Sequence, residues 1–124
     1  MELSKAIEGI HRYRELIHKE DMWNDPISLS DTMTKLAVYN SYIADNIAPL
    51  HKKATDRAYG TYIEAKTSGE TASYSEQVSR GESTDDRMLF ENTQNIYRAT
   101  TNLITVIQTR LKVIENQRKQ EGIE

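Results

Sequence analysis

The stretch that decides the fold is residues 89–114, LFENTQNIYRATTNLITVIQTRLKVI. Two apolar series recur there every seven residues: Leu89, Ile96 and Leu103, and then Phe90, Tyr97, Ile104 and Leu111. A third, partly polar series fills the intermediate positions: Thr93, Thr100, Ile107 and Ile114. Heptad repeats are typical of a helix that packs lengthwise against other helices. We predict a helix capped by Ser83 or Thr84 and ending near Lys119, with an apolar stripe wider than one partner helix needs.

A second long helix is predicted upstream, beginning near Ser30 or Asp31, since either residue can cap a helix. Its stripe recurs at helical spacing: Leu29, Met33, Leu36, Asn40, Ile43, Ile47, Leu50, Ala54, Ala58 and Ala65. Pro49 lies inside this stripe, and we expect a kink or two abutting helices because proline removes a backbone donor. After Leu50 the stripe shrinks to alanines, which bury little area but let a neighbouring backbone come close.

Shorter segments flank the two long helices. The pattern predicts an N-terminal helix from Glu2 to Glu20, weakened at Gly9 by about 1 kcal/mol relative to alanine. A corner at Met22–Pro26 follows, with the single tryptophan, Trp23, covering the end of the core.

Residues 67–84 are the least hydrophobic stretch and are predicted to form a polar tip. Gly69 should end the second long helix, and Thr71 should cap a short helix running to about Arg80. Gly81 should end that short helix.

Together these elements predict an all-α single domain over residues 1–124. It comprises an N-terminal helix and corner (1–28) and a long antiparallel hairpin (29–120). Leu, Ile, Val and Phe make up only 25 of 124 residues. Because buried apolar area must offset the entropy of ordering the chain, we expect further copies to complete the core, and hence a homo-oligomeric bundle.

Several function classes are disfavoured. The chain has no cysteine, which excludes a disulfide framework, a thiol nucleophile and a cysteine zinc site. His11, Glu15 and His18 share one face of the first helix, whereas di-iron bundles need such motifs on different helices, so we expect no metal site. No catalytic arrangement or phosphate loop stands out, and we expect neither enzymatic activity nor a cofactor. Without a long apolar run or a signal-peptide core, we expect a soluble, cytoplasmic protein with no membrane partner (in the host cytoplasm if phage-encoded).

The charges segregate although the net charge is only −3. Net positive charge falls on 52–66 and 110–119, and net negative charge on 82–91. Cations and rings share one helix face in the first of these segments: Lys52, Thr55, Tyr59, Tyr62 and Lys66. Single-stranded nucleic acid needs cations for its phosphates and rings for its bases. The alternative is a solvated helix face whose tyrosines pack into the hairpin.

Arg110 stands where the Leu89–Leu103 series would require an apolar residue. Its stem can lie along the apolar stripe while the guanidinium reaches the edge. It either contacts a phosphate or another subunit, or marks the frayed end of the core.

Short motifs from Tyr59 onward carry a resemblance. They are Tyr62–Lys66, Gly69–Thr71, Ser79–Gly81, Asp86–Arg87, Ile96–Ala99 and Ile107–Lys112. In these motifs the chain resembles small phage proteins of recombination and replication, and more distantly the UvsY recombination-mediator family of T-even phages. The resemblance implies a helical ring that binds single-stranded DNA and helps to load a recombinase in place of the single-strand binding protein. The family's basic patch maps to Lys52, Lys53 and Arg57.

We therefore expect a non-enzymatic recombination mediator that binds single-stranded DNA without sequence preference, with a recombinase or single-strand binding protein as a further partner. The predicted DNA-binding residues are Lys52, Lys53, Arg57, Tyr59 and Lys66, with Arg110 and Lys112 secondary. One alternative is a helical protein-interaction module, such as a phage inhibitor of a host defence enzyme, that uses the acidic 82–91 segment. Another is a structural oligomer of a virion or scaffold.

Overall fold

The computed structural model describes residues 1–122 and is all-α, which confirms the predicted fold class. The described residues form five helices: α1 (Leu3–Ile17), α2 (Glu20–Asn24), α3 (Pro26–Thr67), α4 (Ala72–Glu82) and α5 (Thr84–Gln120). No strand occurs within residues 1–122. These residues divide into two compact units, and both long helices contribute to each. The first unit comprises residues 1–43 and 96–122, and the second comprises residues 44–95.

Large aliphatic side chains build the core of the first unit. The buried residues come from α1, α3 and α5: Ala6, Ile10, Ile17, Leu29, Leu36, Ile43, Ile107 and Ile114. On α5 the intermediate heptad series faces this core, because Thr100 and Ile107 are fully buried whereas Leu103 is only half-buried. Asn40 is buried as well, and its Nδ2 donates to the Tyr97 carbonyl (3.4 Å) and to Thr101 Oγ1 (3.1 Å).

Gly9 lets α1 approach α3 closely. A Cβ at this position would lie 2.5–2.7 Å from three atoms of the Tyr39 ring, closer than carbon atoms can pack. The ring of Tyr39 also lies 6.1 Å from that of Tyr13, centroid to centroid. The glycine that weakens α1 as an isolated helix therefore makes room for the Tyr39 ring in the first unit.

The corner is more regular than the sequence suggested. The first helix ends at Ile17 rather than Glu20, and residues 20–24 form the short helix α2. The prediction that the next helix begins at Ser30 or Asp31 is wrong, since α3 begins at Pro26. The reason is the Asp25 cap: its Oδ1 accepts from the Ile27 N–H (3.1 Å) and its Oδ2 from the Ser28 hydroxyl (2.7 Å). Proline suits the first helical position because the missing N–H would have no intrahelical partner there.

Trp23 lies in the corner, and Pro49 lies inside a long helix. Trp23 is half-buried and packs against the core of the first unit, which confirms its predicted place. The helix α3 continues through Pro49 as one element, so the alternative of two abutting helices is wrong.

Small residues fill the second unit. Its buried residues are Ala54, Ser75, Ser83 and Thr93, and the Ser79 hydroxyl donates to the Ala58 carbonyl at 2.6 Å. This short contact confirms that the alanine stripe permits close backbone approach.

The predicted helix ends and helix cap in residues 67–84 are confirmed at all but one position. Gly69 follows α3 with φ 87°, and Thr71 Oγ1 accepts from the Tyr74 N–H at 3.2 Å as the cap of α4. Gly81, however, does not end α4, which runs to Glu82 with Ser83 as its C-cap. Gly81 does not adopt the left-handed backbone conformation that glycine commonly provides at the end of a helix, so this glycine does not terminate α4.

Candidate nucleic-acid interface

The predicted DNA-binding residues of α3 all reach solvent. Lys52, Lys53, Arg57 and Lys66 are exposed, and Tyr59 is 67% exposed. Tyr59 therefore does not pack into the fold, contrary to the alternative interpretation of this face. Tyr62 is half-buried, as that alternative expects.

Most of these cations face carboxylates. Lys52 Nζ donates to Asp56 Oδ2 one turn along α3, and this hydrogen bond, with the charge of Asp56, raises the pKa of Lys52. Lys53 Nζ lies 3.7 Å from Asp86 Oδ1 on α5. The cationic face is thus partly neutralised within the second unit.

Arg57 is held more firmly than the two lysines. Its Nε donates to the Glu82 carbonyl at 2.9 Å and lies 3.8 Å from Asp86 Oδ2. Its Nη2 lies 3.9 Å from Glu82 Oε2. The side chain of Asp86 is only 16% exposed, and its Oδ2 is buried without a hydrogen-bond partner. A carboxylate in that position depends on the nearby cations, Lys53 and Arg57, for its stabilisation.

The second unit as a whole is acidic. Residues 44–95 contain six Lys and Arg against nine Asp and Glu. Glu82 and Asp86 belong to the 82–91 segment that the sequence marked as net negative, and here they lie against the basic residues of α3. Sequence reasoning missed this pairing because the partners are 25 to 33 positions apart.

A cleft of about 540 Å³ opens beside Arg57. Thr61 and Glu64 of α3, Tyr74 of α4 and Glu82 are among its lining residues. Tyr74 is 49% exposed, so this cleft offers a second accessible ring in the same unit. Sequence analysis did not single out Tyr74, because no cation accompanies it at helical spacing.

The secondary residues, Arg110 and Lys112, belong to the first unit. Arg110 is half-buried: its Nε donates to the Trp23 carbonyl (3.1 Å) and its Nη2 to Asn24 Oδ1 (2.8 Å). Its guanidinium carbon lies 5.8 Å from the centroid of the Trp23 ring. These contacts fasten α5 to the corner, so the frayed-end interpretation is wrong. Lys112 is exposed.

The described residues offer neither a metal site nor a membrane-spanning helix. In the part of the chain that the structure describes, no group of three or more His, Asp or Glu side chains is placed to hold a metal ion. None of the helices within residues 1–122 combines the length and apolarity needed to cross a membrane.

No protein-family model, curated protein or solved structure matches the chain. The resemblance to phage recombination proteins therefore depends on the motifs quoted above.

Proposed function

We propose that the chain is a non-enzymatic, homo-oligomeric mediator of recombination that binds single-stranded DNA through the exposed face of α3. The observation that supports this most directly is Tyr59, an exposed ring on the same helix segment as the exposed Lys52, Lys53, Arg57 and Lys66. An exposed tyrosine can stack on any base, which suits binding without sequence preference. A recombinase or single-strand binding protein would be the further partner.

The cations differ in their availability to phosphate. The Lys52–Asp56 pair is exposed on both sides, and such surface pairs contribute only about 0–1 kcal/mol, so a phosphate can replace the carboxylate. Arg57 would have to leave the half-buried Asp86, which makes it the least available cation of this face. Lys66 is exposed and takes part in none of these ion pairs. We therefore assign first contact with DNA to Lys52, Tyr59 and Lys66.

The residues of the first unit receive different roles. We assign Arg110 to the corner because both of its hydrogen bonds end there. Lys112 remains a peripheral cation that can add to the attraction for phosphates.

A hairpin and self-assembly complete the proposal. Within the second unit, His51 of α3 contacts Phe90 of α5, and Lys53, two residues later in α3, lies near Asp86, four residues earlier in α5. The two helices therefore run in opposite directions there, which supports an antiparallel hairpin. A patch with so few free cations binds weakly by itself. Repetition of the patch in a homo-oligomer would supply affinity through effective concentration.

Fluorescence polarisation with labelled oligo-dT tests the proposal. Binding should weaken as salt rises, because each phosphate contact releases counterions. Tyr59→Ala should weaken binding about 5- to 150-fold, in line with about 1–3 kcal/mol for one stacked base. Tyr42→Ala is the matched control, since its ring is also exposed but belongs to the first unit, and it should leave binding unchanged.

Two lysine substitutions distinguish a direct contact with phosphate from a general effect of net charge. Lys66→Ala should lower the slope of log affinity against log salt by about 0.7, the value for one phosphate of a single strand. Lys35→Ala removes another exposed charge, from the first unit, and should leave the slope unchanged. Equal effects of the two substitutions would contradict the proposed face.

A second candidate is a protein-interaction module. The acidic balance of the second unit and the pairing of its cations with carboxylates support this candidate. It predicts no affinity for oligo-dT at low salt, so the same titration distinguishes the two.

A further inference from the structure

An apolar groove runs along α5 in the first unit. Two hollows, of about 550 and 390 Å³, share Trp23 and Val106 as lining residues, and Leu103 and Val113 extend them. We call this surface the Val106 groove. Val106 is 49% exposed and Val113 39% exposed, so two valines seven positions apart face solvent on one side of the helix.

The charges at the Val106 groove have one sign. Lys19 and Arg110 line it, together with His18, and none of the described lining residues is acidic. An occupant should therefore offer an apolar side chain next to carboxylates.

Such a surface exists near the start of α5 in the second unit. Met88 is 52% exposed and Leu89 44% exposed. Asp85 and Glu91 are both exposed: Asp85 is three positions before Met88 and four before Leu89, and Glu91 is three positions after Met88, so each carboxylate adjoins an exposed apolar side chain on the helix surface. We call these four residues the Met88 patch.

We propose that the Met88 patch of one copy of this chain docks in the Val106 groove of a second copy. The apolar parts match, since a flexible thioether fills an irregular hollow and packs favourably against an aromatic ring such as Trp23. The charges match as well, since the carboxylates of the patch would meet the cationic border of the groove. The inference rests on the homo-oligomer of the proposed function and is independent of DNA binding.

This pairing determines the type of assembly. The two surfaces are different, so the interface is heterologous, and each copy carries one groove and one patch. Addition of copies then continues until the assembly closes into a ring or grows as a filament. A symmetric dimer would instead bring the same surface of both copies together.

Light scattering after size exclusion, in the absence of DNA, tests the inference. The wild-type chain should have a mass several times 14.3 kDa. Met88→Glu and Val106→Glu each destroy one of the two surfaces at an exposed position, and each variant should have the mass of one chain. Ile63→Glu and Val38→Glu are matched controls at exposed positions outside both surfaces and should assemble like the wild type.

Mixing the two variants gives the decisive result. Met88→Glu keeps an intact groove and Val106→Glu keeps an intact patch, so an equimolar mixture should form a species of two chains and nothing larger. A mixture that stays at the mass of one chain would overturn the heterologous pairing. So would a wild-type chain of 14.3 kDa, or loss of assembly in the two controls. Failure of oligo-dT binding alone would leave all these masses unchanged, so it counts against the DNA-binding face only.

Discussion

Replacement of Arg110 distinguishes a structural role from DNA contact. In the structure its guanidinium donates to the Trp23 carbonyl and to Asn24 Oδ1, and it lies 5.8 Å from the Trp23 ring centroid. Two hydrogen bonds contribute about 1 kcal/mol each, and a cation–π contact at a partly exposed site about 0.5–1 kcal/mol. We therefore expect Arg110→Ala to lower the free energy of unfolding by about 2.5 kcal/mol.

The conservative variant refines this expectation. Lysine keeps the charge but cannot direct two fixed N–H groups at two acceptors. Arg110→Lys should therefore lower the free energy of unfolding by about half as much as Arg110→Ala. Lys112→Ala is the control, because an exposed lysine two positions further along α5 should change stability by no more than about 0.5 kcal/mol.

Urea unfolding followed by tryptophan fluorescence measures these differences, since Trp23 is the only tryptophan and lies at the affected corner. Protein concentration must be equal in all samples, because self-association contributes to apparent stability. Oligo-dT binding of the folded variants provides the second measurement. The reasoning is refuted if Arg110→Ala is as stable as Lys112→Ala while its affinity for DNA falls much further.

Three other substitutions probe the first unit. Gly9→Ala should lower the free energy of unfolding by about 1–2 kcal/mol, because overpacking against the Tyr39 ring outweighs the gain of about 1 kcal/mol in helix propensity. In a chain that already carries Tyr39→Ala, the same substitution should raise the free energy of unfolding by about 1 kcal/mol. Urea midpoints of the wild type, the two single variants and the double variant test this change of sign. Asn40→Leu should change the free energy of unfolding by less than about 1 kcal/mol, because relief of the unpartnered Oδ1 offsets the loss of the two hydrogen bonds that Nδ2 donates; a loss of more than about 2 kcal/mol in the same assay would contradict this. The Ser28 hydroxyl, followed by backbone hydrogen bonds, holds the pKa of Asp25 below its usual 3.8. The Asp25 carboxylate therefore contributes to the free energy of unfolding above pH 3.8, and this contribution is lost as pH falls through the lowered pKa of the folded state. When unfolding is measured over a series of acid pH values, the wild type should be more stable than Asp25→Asn only above that lowered pKa.

The sequence predicted helices where periodicity and caps agree. The bounds of α5 follow from its heptads and from the acidic first turn with Asp85 and Asp86. The start of α3 did not follow, because its first turn places Ile27 in solvent (80% exposed) and thus lies outside the apolar stripe. The Asp25–Pro26 pair was a local signal for that start, and it was interpreted only as a break.

The site was predictable in its composition but not in its pairing. Helical spacing sufficed to place Lys52, Tyr59 and Lys66 on an exposed face. The ion pairs with Asp86 depend on the register between α3 and α5, which a single sequence does not specify. The same holds for Arg110, whose partners lie 86 and 87 positions away.

If the chain binds single-stranded DNA as proposed, the pairing with Asp86 would link DNA affinity to self-assembly. A phosphate that binds Lys53 or Arg57 must compete with a carboxylate that is only 16% exposed and cannot turn freely into water. Loss of its cations would leave that charge uncompensated, which costs more than opening a surface ion pair. On the proposed function, each copy would offer only Lys52, Tyr59 and Lys66 to the strand. Useful affinity would then require several copies on one strand, so under the proposed docking the Met88→Glu variant should bind oligo-dT only as weakly as a single patch.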